Sequence, residues 1–262
     1  MDDRARAFWD RYWPDQPPTT TALTMSHLLD RIKLEYLRAI LPEQGHTLEV
    51  GCGSGRLSCF LALQRYRTVC LDFSHAALAA AQANFEATGV SGQFVVGDAF
   101  ILPFPDERFD VVLSTGLLEH FQDPAPIVRE MVRVLKGRGL FYSDIVPKRF
   151  SLFRSLDWTG RVKRFLQGDT KAPESFFERT FSRAEVQHLL EEVGLHEVHV
   201  FPAGVVPPYL PILSRSPRLW DRQVRCVERT RGLWKRLDNT FLAEWLGFYY
   251  FAWAIKPGKK VA

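Results

Sequence analysis

Apolar residues alternate along the chain, from Thr47 onward, between short continuous runs and longer runs at helical spacing. The short runs predict buried strands, and the amphipathic patterns between them predict helices. We place strands near 47–50, 68–71, 93–96, 109–113, 138–144, 196–201 and 246–256. Helices are predicted near 54–65, 74–88, 124–135 and 182–193. This alternation is typical of βαβ units, so we expect a doubly wound α/β fold with a seven-stranded, mainly parallel sheet.

Residue types that favour helix ends support several of these boundaries. Ser74 predicts a capped helix start, and so does the pair formed by Ser182 and Glu185. Asp123 followed by Pro124 predicts a further start. Three glycines are placed to end helices, namely Gly89, Gly137 and Gly194.

The chain divides into an N-terminal part and one main domain. Two helical patterns, around 5–13 and 26–41, precede the first strand. We therefore assign residues 1–45 to N-terminal helices and residues 46–262 to the α/β domain. The alternation is interrupted at about 146–181 and 202–244, and structureless loops of this length are uncommon in compact domains. We expect both segments to contain helices of their own and to form cap insertions.

Composition and charge restrict the class of protein. Hydrophobic residues make up 46% of the 262 positions and charged residues 24%, as in a globular domain with one sizeable core. The formal net charge of +4 is unevenly distributed. Residues 148–171 hold seven Lys or Arg against two acids, and residues 215–236 hold eight against two. Such asymmetry indicates an anionic partner for these two segments.

The sequence also indicates a compartment. The four cysteines form no CxxC pair, no cationic and apolar export signal is visible, and the most apolar stretch, 241–255, is shorter than a membrane span. We expect a cytoplasmic protein, with contact to the inner face of a membrane as an alternative for the basic segments.

The most informative motif is the run Leu48-Glu49-Val50-Gly51-Cys52-Gly53-Ser54-Gly55. A sharp turn from a strand into a helix needs glycine where φ is unusual or where a ligand approaches the backbone. The helix start behind the turn offers N–H groups to a carboxylate or phosphate. Asp72, at the end of the second predicted strand, fits an acid that binds ribose hydroxyls.

The spacing of the glycines disfavours two other nucleotide-binding classes. A dinucleotide fingerprint requires a third glycine where Arg56 stands, and no G-x-x-x-x-G-K-[ST] phosphate loop occurs in the chain. A nicotinamide oxidoreductase is therefore a weaker hypothesis, and hydrolysis of a nucleoside triphosphate has no support.

These motifs resemble those of class I S-adenosylmethionine-dependent methyltransferases, especially the branch that contains ubiquinone, menaquinone and small-molecule methyltransferases. The resemblance is close over residues 46–145 and looser beyond. It also includes Gly97-Asp98-Ala99, the run from Phe109 to Phe121, and Arg133 to Gly139, where the family often has proline at position 137. Several motifs in the family's order are more specific than any one of them. The family's fold is Rossmann-like, in agreement with the predicted sheet.

The resemblance implies a set of residues that bind S-adenosylmethionine. The glycine turn would hold the methionine part, Asp72 the ribose, Phe73 the adenine face and Asp98 the adenine amine. The full implied set is Glu49, Gly51, Cys52, Gly53, Gly55, Asp72, Phe73, Asp98, Ala99 and Ser114.

His120 is the candidate catalytic residue, because a neutral imidazole can accept a proton near pH 7 and because it follows the fourth strand. A structural role for His120 is the alternative. Glu119 and His120 could also belong to a metal site, as some quinone O-methyltransferases imply, but the sequence shows no third ligand. We assign no metal.

These inferences predict an enzyme that methylates a small-molecule or lipid-like acceptor, with oxygen favoured over carbon or nitrogen as the acceptor atom. The preference for oxygen rests on His120 and on the quinone-methyltransferase resemblance. The basic, aromatic cap segments favour a hydrophobic or anionic acceptor, or a membrane surface, over nucleic acid. A cofactor-binding interaction protein without transferase activity is the alternative from another class.

Overall fold

The computed structural model describes residues 3–13, 25–145, 177–206 and 216–258. Of the first predicted cap insertion, 146–181, only residues 177–181 are among the described residues. Of the second, 202–244, residues 207–215 lie outside them.

The described chain forms eight α-helices and seven strands. The helices are α1 (Asp3–Tyr12), α2 (Met25–Leu37), α3 (Arg56–Leu63), α4 (His75–Thr88), α5 (Ala125–Val134), α6 (Arg183–Glu192), α7 (Pro217–Trp234) and α8 (Ala243–Leu246). The strands are β1 (His46–Val50), β2 (Arg67–Asp72), β3 (Gln93–Val96), β4 (Phe109–Thr115), β5 (Leu135–Ile145), β6 (His196–Ala203) and β7 (Tyr249–Ile255). Short 3₁₀ turns cover Leu118–His120 and Lys235–Leu237. In the part of the chain described here, no helix combines the length and apolarity that crossing a membrane requires.

The seven strands form one sheet in the order β3-β2-β1-β4-β5-β7-β6. β1 pairs in parallel with both β2 and β4, whereas β7 is antiparallel to β5 and β6. The predicted doubly wound, mainly parallel fold is confirmed. Because β1 lies where the strand order reverses, the loop after Val50 opens into the crevice where such sheets bind ligands.

Two hydrophobic layers pack on opposite faces of the sheet. Val112 belongs to the layer that contains α5 and α6, while its neighbours Val111 and Leu113 belong to the layer that contains α2 and α3. All three side chains are fully buried, as expected for a parallel strand covered on both faces.

Most of the predicted helix ends are confirmed. The Ser74 hydroxyl accepts a hydrogen bond from the backbone N–H of Ala77, and Ser182 forms the predicted capping box with Glu185. Gly89 and Gly194 follow their helices at φ +69° and +87°. The Asp123 carboxylate accepts from Ala125 N–H at 3.0 Å, at the start of α5.

The prediction that Gly137 ends a helix is wrong. Helix α5 ends at Val134, and β5 begins at Leu135 and contains Gly137. The ammonium group of Lys256 donates to the carbonyl oxygens of Val132 and Leu135 at 2.8 and 2.7 Å. Because these bonds satisfy carbonyls at the helix end, a glycine turn is not needed there.

A buried ion pair holds α7 against the rest of the domain. The Asp238 carboxylate accepts hydrogen bonds from Arg231 at 2.5 Å, from the Tyr36 hydroxyl at 2.6 Å and from Val205 N–H at 2.9 Å. Its side chain is 1% exposed. Asp238 thereby joins α7 to α2 and to the loop that follows β6.

We expect Asp238→Asn to lower the free energy of unfolding by about 3 kcal/mol, because it removes the more buried of the two carboxylates that pair with Arg231, the other being Glu35. Asp221→Asn is the matched control, since Asp221 pairs with Arg225 on the exposed side of the same helix and such pairs contribute ~1 kcal/mol or less. Urea denaturation of both variants measures the difference. Equal effects would contradict a special role for the buried pair.

Candidate active site

The glycine motif forms the predicted bend between β1 and α3. Gly51, Gly53 and Gly55 all have positive φ, between +53° and +67°. A Cβ at Gly51 would lie 2.6 Å from a methyl carbon of Leu117, and a Cβ at Gly53 would lie 2.3 Å from the Trp13 ring. Both conformation and space therefore require glycine at these two positions.

Asp72 is bound directly to this bend. Its Oδ2 accepts a hydrogen bond from Gly53 N–H and its Oδ1 from Ser74 N–H, both at 2.9 Å. Burial raises the pKa of Asp72 above its usual value, although these N–H groups favour the charged form. Each carboxylate oxygen has more than one lone pair, so Asp72 can still accept hydrogen bonds from a ligand.

The residues predicted to contact adenine lie next to Asp72. Gly97 N–H donates to the backbone oxygen of Asp72 at 3.0 Å, which places Asp98 and Ala99 beside the ends of β2 and β3. The Asp98 carboxylate accepts from Phe100 N–H at 2.9 Å, and Ala99 is buried.

A mostly apolar cavity of about 80 Å³ lies against the bend and Asp72. Its lining comprises Ala5, Trp9, Trp13, Gly51, Asp72, Phe73, Gly116, Leu117, His120 and Phe121. The lining includes three residues of the predicted set, Gly51, Asp72 and Phe73, together with His120. Asp98 and Ala99 are neighbours of this cavity and are absent from its lining.

Two predicted residues have their side chains engaged within the protein. Glu49 is buried, and its Oε2 accepts from the Ser58 hydroxyl at 2.6 Å and from Ser58 N–H at 3.1 Å. The sequence analysis expected the N–H groups at the start of α3 to bind a ligand. One of them, that of Ser58, donates to Glu49 instead. Ser114 is also buried, with its hydroxyl 3.0 Å from that of Ser143. Gly55 packs against Ala81 and starts α3.

A second, polar cavity continues from the same bend. Its lining includes Glu49, Gly51, Cys52, Gly53 and Ser54 from the bend region. Further residues come from α1 and the position after it, α2, the start of α3, the end of β4, the 3₁₀ turn Leu118–His120, β5 and the segment after 176. They are Trp9, Tyr12, Trp13, Asp30, Lys33, Arg56, Leu57, Thr115, Gly116, Glu119, His120, Asp144 and Glu178. His120 lines both cavities and so lies at their junction.

Two ion pairs cross the polar cavity. Lys33 Nζ lies 2.6 Å from Asp144 Oδ2, and Arg56 Nε lies 2.6 Å from Asp30 Oδ2. The other Asp144 oxygen accepts from Gly116 N–H at 3.0 Å. The ends of β4 and β5 are thus linked to α2.

Glu119 and His120 occupy different environments. His120 Nδ1 lies 2.9 Å from the carbonyl oxygen of Phe177, and its ring packs edge-on against Trp9 at 5.2 Å. Glu119 is 5% exposed, and its Oε2 has no hydrogen-bond partner in the described structure. Burial raises the pKa of Glu119 to about 8.

Helix α1 covers the site. The sequence analysis predicted this helix but not its position over the site. The Asp10 carboxylate accepts from the Ser74 hydroxyl at 2.5 Å and anchors α1 to the start of α4, so that Trp9 and Trp13 face the cavities. The aromatic composition of residues 8–13 was the available signal. Asp144, a polar residue at the end of a strand that leads to the crevice, was a second signal.

The residues present fit S-adenosylmethionine. A buried carboxylate that retains acceptor capacity, a backbone bend closed to side chains and an apolar cavity meet at one edge of the sheet. Asp72 would hold the ribose hydroxyls, and the backbone at Gly51 and Gly53 would hold the methionine part. Among the described residues, no group of three His, Cys, Asp or Glu side chains is arranged to hold a metal ion.

Part of the chain is similar in sequence to known methyltransferases. Residues 48–143 match the family model described as a methyltransferase domain. The ubiquinone biosynthesis O-methyltransferase of Coxiella burnetii is 27% identical over 48% of this chain and 55% of its own length. The ajmaline N-methyltransferase of Rauvolfia serpentina is 41% identical over 40% of this chain and 39% of its own. The chain thus spans about half or less of the length of these two relatives.

A solved structure supports the fold over nearly the whole length. The SpnF cyclase is 19% identical, with a TM-score of 0.62 over 97% of this chain and 95% of its own. At this identity the likeness shows the fold alone. Residues 48–143 therefore contain a methyltransferase domain, and the strand order and the Asp72-bound glycine bend agree with the class I S-adenosylmethionine-dependent type.

Proposed function

We propose that the chain transfers a methyl group from S-adenosylmethionine to a small-molecule acceptor. The observation that carries this proposal is the Asp72 carboxylate, which is held by Gly53 and Ser74 N–H groups beside an apolar cavity. An acid in this position suits a ribose diol, and the adjoining polar cavity has room for a second molecule.

The cofactor would supply an activated methyl group on a sulfonium, so the protein's main task is to hold the acceptor close and aligned. His120 is suited to remove a proton from the acceptor. Since a carbonyl oxygen only accepts hydrogen bonds, the contact with Phe177 assigns the ring proton to Nδ1. Nε2 of the neutral ring then carries the lone pair that can accept the acceptor's proton.

An acceptor that loses a proton to His120 carries an O–H or N–H group. We propose methylation on oxygen or nitrogen, in keeping with the two relatives, one an O-methyltransferase and the other an N-methyltransferase. The stronger preference for oxygen in the sequence analysis rested on His120 and on the quinone-methyltransferase resemblance, and His120 is equally suited to an N–H acceptor.

Asp72→Asn is expected to weaken binding of S-adenosylhomocysteine by roughly 10- to 100-fold, since charged hydrogen bonds contribute ~1.5–3 kcal/mol and 1.4 kcal/mol is a factor of ten. Titration calorimetry measures this affinity. Asp106→Asn, at an exposed acid that pairs with Arg133, is the matched control. Unchanged binding by a folded Asp72→Asn variant would remove the central support for the proposal.

His120→Gln is expected to lower the rate of methyl transfer by ~10²- to 10⁴-fold, the usual contribution of a general base. Affinity for S-adenosylhomocysteine should remain within a factor of three. The assay follows labelled methyl groups from the cofactor into small-molecule amines and phenols, with His188→Gln on the exposed face of α6 as control. Equal rates in both variants would show that His120 is structural, and cofactor binding without any transfer would favour a non-catalytic binding protein.

A further inference from the structure

The polar cavity next to the glycine bend is strongly acidic. Five carboxyl side chains and two cationic side chains line it. The acids are Asp30, Glu49, Glu119, Asp144 and Glu178, and the cations are Lys33 and Arg56. Both cations already lie within 2.6 Å of an acid, Lys33 at Asp144 and Arg56 at Asp30. The lining therefore holds three more carboxyl groups than cationic groups.

Glu119 is the acid of this lining that has a buried oxygen without a hydrogen-bond partner in the described structure. Its side chain is buried, and the oxygen without a partner there is Oε2. Leaving a buried carboxyl oxygen without a donor costs free energy, so such a group usually has a partner that binds from outside. A cationic donor would supply this partner and would also favour the ionised form of Glu119, whose pKa burial raises when no cation is bound.

Aromatic rings complete the lining of this cavity. Trp9, Tyr12 and Trp13 face it from α1, opposite the acids contributed by α2 and by the ends of the strands. Aromatic faces attract cations, and excess carboxylates repel anions. Acids and rings together favour a positively charged group over a neutral or an anionic one.

We propose that the acceptor carries a protonated basic nitrogen, which this cavity binds through the Glu119 carboxylate and the rings of α1. This inference rests on the proposed methyltransferase function and names its class of substrate: a small amine. It differs from the anionic acceptor expected from the basic segments of the sequence. Lys33 and Arg56, the two cations of the cavity, are paired with their own acids and do not offset the charge preference.

Three probes that share a phenylethyl group test this proposal: 2-phenylethylamine, 2-phenylethanol and 3-phenylpropionate. Titration calorimetry on protein saturated with S-adenosylhomocysteine should show that the amine binds at least tenfold more tightly than the alcohol or the carboxylate. Glu119→Gln should lower the affinity for the amine at least tenfold and leave affinity for the alcohol unchanged. Glu192→Gln, at an exposed acid on α6, is the matched control.

The outcomes separate this inference from the proposed function. If the alcohol or the carboxylate binds as tightly as the amine, or if Glu119→Gln keeps the preference, the amine inference is overturned while binding of S-adenosylhomocysteine still supports a methyltransferase. If wild-type protein binds no S-adenosylhomocysteine, the proposed function itself fails. Glutamine has the size of a protonated glutamate, and a thermal melt verifies that the variant is folded.

A different observation supports a second proposal, which concerns the outer face of α7. Arg218, Arg222, Arg225 and Arg229 are all exposed and recur at spacings of four, three and four residues, so they lie on one face of the helix. Val224 and Val227 are buried on the opposite face, and the Arg231–Asp238 pair fixes the orientation of α7. We call these four arginines the arginine stripe.

Exposed apolar side chains lie on α7 beside the arginine stripe and in the segment that follows α7. Leu219 and Leu233 are 48% and 62% exposed on α7, and Phe241 is 72% exposed shortly after it. A cationic helix face bordered by exposed apolar groups is typical of a surface that lies on an anionic membrane. Nucleic acid would bind the arginines through its phosphates, but phosphate binding does not explain the exposed apolar side chains.

We infer that the arginine stripe and its apolar border bind the surface of an anionic lipid bilayer. In sedimentation assays, the protein should bind vesicles that contain 30% phosphatidylserine at least tenfold more strongly than pure phosphatidylcholine vesicles, and 0.5 M NaCl should abolish the difference. Arg222→Glu with Arg229→Glu should reduce binding at least tenfold. Arg65→Glu with Arg67→Glu, the same charge change at exposed sites elsewhere, should not.

Phe241→Ser tests the lipid component, since it should weaken vesicle binding several-fold and leave any binding to double-stranded RNA unchanged. Equal binding to both vesicle types, or loss of binding in the Arg65 and Arg67 control, would overturn the inference. Tight binding to RNA with none to vesicles would assign the stripe to nucleic acid instead.

Discussion

The architecture of the site depends on one carboxylate, that of Asp72. Its two oxygens join the bend after β1 to the start of α4, through Gly53 and Ser74 N–H groups. Ser74 in turn binds Asp10 and so brings α1 over the bend. The same acid that is suited to a ribose therefore orders the backbone around the ligand and anchors the cover above it. Removal of its charge affects recognition and local structure together.

The fold was predictable because its determinants are local. Apolar runs and capping residues such as Ser74, Ser182 and Gly89 lie within a few positions of the boundaries that they define. Gly137 was misread for the opposite reason, because the group that completes the end of α5 is Lys256, more than 120 positions away. A turn signal predicts a boundary only where no distant side chain supplies the same hydrogen bonds.

The site was predictable in part. The glycine bend and Asp72 belong to a motif with fixed spacing, whereas Trp9, Lys33 and Asp144 come from three separate elements that meet only in the folded sheet. The charge of the ligand was also predictable only in part. The basic segments suggested an anionic ligand, yet acids outnumber cations in the polar cavity at the bend, because the exposed arginines of α7 lie outside it. Net charge along a segment describes a surface and says little about an interior.

The position of β7 has a consequence for how the molecule is assembled. β7 follows the other six described strands in the chain, yet it lies between β5 and β6, and β6 pairs with no other described strand. During synthesis, β5 consequently presents an open edge and β6 has no neighbour until residues 249–255 have emerged. Open strand edges are where chains associate wrongly. Completion of the sheet, and with it protection from aggregation, is therefore a late event governed by one buried segment.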